Sequence, residues 1–138
     1  MNASEQAKGL KLASKIARVV TLFQAEFPDA KADLKPWRND PETRSLIDPD
    51  SIDIGFHFPG WSPRFQSNSI LVQIRFHKYP LEKATSLIGV ECAGFNYQGE
   101  AWRLSTVEKW QLVGKYRPEV EVELKIKSFS SQVFQLFR

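Results

Sequence analysis

The sequence predicts an α+β domain in which a long N-terminal amphipathic helix packs on one face of a five- or six-stranded, mainly antiparallel sheet. Three observations carry that expectation. Apolar residues recur with a helical period as far as Phe27. From Ser51 onward the period falls to two. The helix then has one apolar stripe and the sheet one apolar face, and each escapes water only by covering the other.

The helix is expected over residues 3–27, within a first segment of 1–28. At about 100° per residue, Leu12, Ile16, Val19, Val20, Phe23 and Phe27 fall on one side. Asn2 is placed to cap its start, with Glu5 as the box partner. Pro28 disfavours continuation and biases Phe27 away from helical dihedrals.

Residues 29–50 read as a connection, broken by Pro36, Pro41 and Pro49 and rich in acids. A loop of this length inside one domain is expected to pack rather than dangle. Trp37, Leu46 and Ile47 are its anchors, with a short helical turn at 42–46.

Residues 51–138 are assigned to the sheet. Ile52, Ile54, Phe56 and Phe58 alternate with polar or small neighbours, as do Ile70, Val72, Ile74 and Phe76. Both stretches are half-buried strands. Matching their apolar faces with Phe58 opposite Ile70 sets Asp53 opposite Arg75. Residues 84–95 form a third strand and 96–99 a turn. Residues 100–106 return as a fourth, with Trp102 and Leu104 inward. Residues 108–116 extend it or begin another. Val120, Val122, Leu124 and Ile126 alternate with Glu and Lys across 119–127, which reads as the clearest strand in the chain. The apolar tail is a strand or a helical turn.

The chain of 138 residues has the length of one domain, and its 42% hydrophobic and 25% charged residues are those of a folded globular protein. Net charge is +3, too small and too scattered for a dedicated duplex-binding domain. Charge is uneven, however. Residues 39–58 hold five acids and one cation, whereas 59–79 hold three cations and no acid. The single cysteine, Cys92, excludes an internal disulfide or a cysteine zinc site. It is expected to be a small buried side chain in a reducing compartment, hence a cytoplasmic location. The polar first residues show no secretory pattern, and no run approaches the ~18 apolar residues of a membrane span.

No phosphate-loop, dinucleotide, metalloprotease or nucleophile-elbow signature is present. In the register above, His57 and His77 lie far apart on the polar face, so they form no metal or catalytic pair. No catalytic residue, metal or cofactor is expected. The favoured function is a non-enzymatic binding or adaptor domain contacting another protein. Two features carry it. The segment 58–65 sets Trp61, Arg64 and Phe65 among prolines and a glycine, where the two rings either meet a partner or fold back to close the end of the core. On the helix, Lys8, Lys11, Lys15 and Arg18 form a cationic ridge beside the apolar stripe. A second class is binding of single-stranded nucleic acid, with Arg75 and Lys78 joining the same loop. A third is metal-assisted or acid–base catalysis by Asp40, Glu42, Asp48, Asp50 and Asp53. A homodimer is conceivable through the 119–127 strand, by antiparallel Glu–Lys pairing across a two-fold axis.

Overall fold

The computed structural model describes residues 1–37, 50–79, 84–107 and 109–137. Helices α1 (Ala3–Gln6) and α2 (Leu10–Glu26) open the chain. Six strands follow: β1 (Lys31–Asp33), β2 (Ser51–Ser62), β3 (Ser67–Tyr79), β4 (Ala84–Asn96), β5 (Gly99–Ser105) and β6 (Leu112–Val113). Helix α3 (Val120–Phe137) closes the described chain. The strands form one antiparallel meander in the order β1-β2-β3-β4-β5-β6. The α+β class is therefore as the periodicities indicate.

The expected N-terminal helix is divided. Gly9 has φ +89°, a left-handed conformation open to glycine, and it separates α1 from α2. Asn2 makes no side-chain cap. Its amide instead donates to the Trp37 carbonyl at 2.9 Å and accepts from the Trp37 N–H at 2.8 Å. That bridge binds the first residues to the 29–50 connection, and Trp37 is an anchor as expected. Leu46, Ile47 and the helical turn at 42–46 lie outside the described residues. Part of the connection is itself strand: β1 pairs with β2, with Ala32 opposite Phe56.

The inner face of the sheet is apolar in rows. Phe56, Ile70 and Gly94 make one, Ile54, Val72, Cys92 and Leu104 the next, and Ile52, Ile74 and Val90 a third. All of these apolar side chains are buried. Phe56, not Phe58, faces Ile70, so the hairpin lies two residues out of the expected register. A shift of two preserves which side each residue faces, so the alternation has no power to choose between them. Gly94 lacks a Cβ where the Trp102 indole lies against β4, and any side chain there would collide with the ring. Trp102 and Leu104 are buried as predicted.

The main correction concerns the chain beyond residue 113. Residues 119–127 are not a strand. Val122, Ile126, Phe129 and Val133 are buried at spacings of four, three and four, the repeat of a helix face. Val120 and Leu124 turn to solvent at 71% and 58% exposure. The charges fit as well: Lys125 pairs with Glu121 at 3.6 Å and Lys127 with Glu123 at 3.4 Å, both four residues apart. Glu121 and Glu123 also suit the electropositive first turn. The sheet thus ends at β6 rather than at the C-terminus. The proposed dimer through a 119–127 strand loses its strand.

Helices α2 and α3 pack against each other and cover the inner face. Phe23 joins both helices to the sheet. It stacks on Phe56 with centroids 3.8 Å apart and meets the edge of Phe129 at 5.1 Å. Each buried ring contributes about 1.5–3 kcal/mol by leaving water. No helix among the described residues is long and apolar enough to cross a membrane.

Candidate functional site

The segment expected to carry binding is the tip of the β2–β3 hairpin. Pro59 has no N–H to give the ladder, and the pairing shifts between His57 and Ser62. Ser62 then closes the turn: its carbonyl accepts from Phe65 N–H at 3.2 Å and Gln66 N–H at 2.8 Å. Gln66 takes the left-handed conformation, φ 54°.

The three predicted residues meet different fates here. Phe65 folds back onto Phe58, stacked with centroids 4.5 Å apart, and Phe27 meets both rings edge-on. Phe65 is therefore half core. Its carbonyl accepts the indole N–H of Trp102 at 2.7 Å. Arg64 reaches α3: its Nε lies 3.4 Å from Glu119 and an Nη 3.8 Å from Glu121. The Glu119 N–H donates back to the Arg64 carbonyl at 2.9 Å. Trp61 remains 54% exposed at the end of β2. The tip is thus a rigid mount, tied to β5 and α3, that holds an indole in water. Beside it lies a cavity of about 130 Å³ lined by Phe27, Phe58 and Phe65, with Glu26 and Asp29 among its polar walls. Lys125 lies over the Phe27 ring at 5.9 Å and Arg64 over Phe65 at 5.5 Å.

The cationic ridge does not form as one unit. Lys8 precedes α2 and is set apart by the break at Gly9. Lys11 and Arg18 are exposed. Lys15 lies over the Phe137 ring at 5.4 Å, at a separate cavity of about 270 Å³ shared with Asp50 and Phe76.

On the outer face of the sheet the cations are engaged. Arg75 Nε donates to Glu91 Oε2 at 2.7 Å, and Arg103 donates to the same oxygen at 3.0 Å. Ser105 donates to the other carboxylate oxygen at 3.1 Å. Arg75 is thus held by a carboxylate, and the side chain of Lys78 lies outside the described residues. Glu91 and Arg103 are central here, and sequence reasoning missed them; their signal is the outward position they share with Arg75 in the two-residue alternation.

Asp53 faces Gln73, not Arg75, and is fully buried. It accepts from the Met1 α-ammonium at 2.8 Å, from Ser51 Oγ at 2.8 Å and from the Trp37 indole N–H. The expected Asp53–Arg75 pair is therefore replaced by an ammonium. Of the other acids proposed for catalysis, Asp50 lines the α2–α3 cavity, and Asp40, Glu42 and Asp48 lie outside the described residues. Among the described residues no three His, Cys, Asp or Glu side chains gather into a metal-binding group. His57 stands opposite Ser69 rather than beside Leu71, and its Nε2 lies 3.1 Å from Asp33. A shallow apolar cavity of about 200 Å³ adjoins it, walled by Trp37, Leu71 and Phe95.

Cys92 is buried against α3, with Sγ 3.6 Å from Ser130 Oγ. Burial pushes its thiol up to about 12, against a smaller opposing pull from the Ser130 hydrogen bond. A thiol so placed is a poor nucleophile.

A family model described as a domain of unknown function matches residues 4–138, and the chain belongs to that family. No curated protein and no solved structure matches it.

Proposed function

We propose that this member of a domain family of unknown function is a non-enzymatic binding module that contacts another protein through the tip of the β2–β3 hairpin. The observation that supports it best is the exposed Trp61 on a braced turn beside an aromatic cavity. Tryptophan at a protein contact contributes a large desolvated area. A mount that is already rigid loses little further entropy on binding. Arg64 and Phe65 belong to the same surface, Arg64 as its polar rim and Phe65 as its floor. Lys11 and Arg18 offer a separate cationic contact on α2. We propose a cytoplasmic location for the domain, supported by its single, buried, unpaired cysteine.

Single-stranded nucleic acid is the rival, and the engagement of Arg75 by Glu91 argues against it. A photo-crosslinking amino acid in place of Trp61, with Ser128 on α3 as the control position, tests the proposal. Discrete protein adducts are expected from position 61 and not from 128, and they are expected to persist at moderate salt. Equal adducts at both positions, or none at 61, would overturn it. So would oligonucleotide quenching of tryptophan fluorescence that vanishes steeply with salt.

A further inference from the structure

The cavity beside the hairpin tip, lined by Arg64 and Phe65 from the turn, has a composition suited to one kind of guest. Its apolar walls are the rings of Phe27, Phe58 and Phe65. Aromatic faces carry negative charge and attract cations within about 6 Å. Two internal cations already exploit this: Lys125 over Phe27 at 5.9 Å and Arg64 over Phe65 at 5.5 Å. The surrounding charge favours cations too. Glu26 and Asp29 line the cavity and have no ion-pair partner among the described residues. Arg64 and Lys125 are already matched by Glu119 and Glu121, so the two unmatched carboxylates give the mouth an excess of negative charge. The electronegative carbonyl end of the 17-residue helix α2 is at the same place, and its last turn contains no basic residue. The acids of α3 are partly answered by that helix's own N-terminus, which leaves Glu26 and Asp29 as the decisive pair.

We propose that the Phe27–Phe58–Phe65 cavity is a cation-receiving subsite, and that the partner presents to it a basic side chain, arginine or lysine, from an exposed peptide segment. The proposal rests on the hairpin-tip reading and specifies the chemistry of its partner. An incoming guanidinium stacks on the rings and meets Glu26 and Asp29, and Lys125 leaves the Phe27 ring while keeping its existing pair with Glu121. Occupancy moves no bond and needs no cofactor; it exchanges one cation–ring contact for another and adds two carboxylate contacts.

The test uses the full chain with ¹³C-labelled phenylalanine rings and two capped peptide probes, acetyl-Ala-Arg-Ala-amide and acetyl-Ala-Glu-Ala-amide. The arginine probe is expected to shift the Phe27, Phe58 and Phe65 resonances saturably in the millimolar range, and the glutamate probe to leave them in place. The double variant Glu26→Gln with Asp29→Asn is expected to weaken the response several-fold, and Lys125→Met to strengthen it. An equal response to the glutamate probe, an undiminished response in the double variant, or no ring shift with the arginine probe overturns the proposal. Its failure is separable from that of the hairpin reading. Crosslinks at position 61 without ring shifts leave a protein-binding tip with a different anchor, and ring shifts without crosslinks leave a cation subsite with no protein partner at the tip.

Discussion

The indole N–H of Trp102 donates to the main-chain carbonyl of Phe65 at 2.7 Å, joining the core of β5 to the hairpin tip. Trp102 is fully buried and lies against Gly94, so the donor has one fixed position. Replacing Trp102 with Phe removes the donor, leaves the carbonyl with the Ser67 hydroxyl at 3.2 Å, and opens a gap. The expected cost is about 2–4 kcal/mol in urea unfolding. Amide exchange at Phe65 and Gln66 should quicken more than at Ile74. Unchanged exchange at the tip would show that the bond does not brace the hairpin.

Trp61 and Phe65 should separate binding from folding. Trp61→Ala removes an exposed ring and is expected to change stability by no more than about 0.5 kcal/mol. Phe65→Ala removes a ring packed on Phe58 and Phe27 and is expected to cost about 2–4 kcal/mol. Thermal and urea melts of the two variants decide this, and similar losses would mean that Trp61 is structural.

Glu91→Gln takes the charge from a side chain only 16% exposed that serves two arginines. Arg75 and Arg103 are each less than a third exposed, so solvent screens the pairs incompletely. A loss of about 1–3 kcal/mol is expected, with only partial relief in high salt. A loss below about 0.5 kcal/mol would place these pairs with ordinary surface ion pairs.

The Cys92 thiol gives a pH signature. Folding raises it from 9.0 to about 12, chiefly through burial. Above pH 9 the unfolded chain releases this proton while the folded chain keeps it. The unfolded state then binds fewer protons, so stability falls as pH rises through the window from 9.0 to about 12, and is untouched by this group below it. Comparing wild type with Cys92→Ala isolates the effect: the wild type should lose stability across that window more steeply than the variant. Thiol reagents at pH 8 should label the protein only as fast as it unfolds, and rapid labelling of the native state would contradict the burial.

Much of the fold can be read from side-chain order. The stripe of α2, the inward faces of β2, β3 and β5 and the burial of Cys92 are legible in residue order. The error at 119–127 has a definite origin. Val122 and Ile126 are four residues apart, a spacing that periods of 2 and 3.6 both satisfy. The apolar residues at Phe129 and Val133 break the tie only when read together with them, and so do the Glu–Lys pairs four apart. The site was less legible. The sequence leaves open whether Trp61 and Phe65 face a partner or close the core, and the turn at Ser62 sends Trp61 to solvent, Arg64 to α3 and Phe65 to the core. Glu26, Asp29 and Lys125 join them from α2, the turn after it and α3, and no spacing along the chain brings those together.

What the sequence determined by itself was which side of each segment seeks to leave water, because that depends on a residue and its near neighbours. The tertiary structure decided what each side meets: the two-residue register of β2 on β3, the Met1 ammonium on Asp53, two arginines on Glu91, and an aromatic cavity open at its mouth. Burial is favourable against any apolar surface, so local pattern names the face and leaves the partner open. Side-chain volume, hydrogen-bond geometry and charge then select one partner through space, once all the layers are in place.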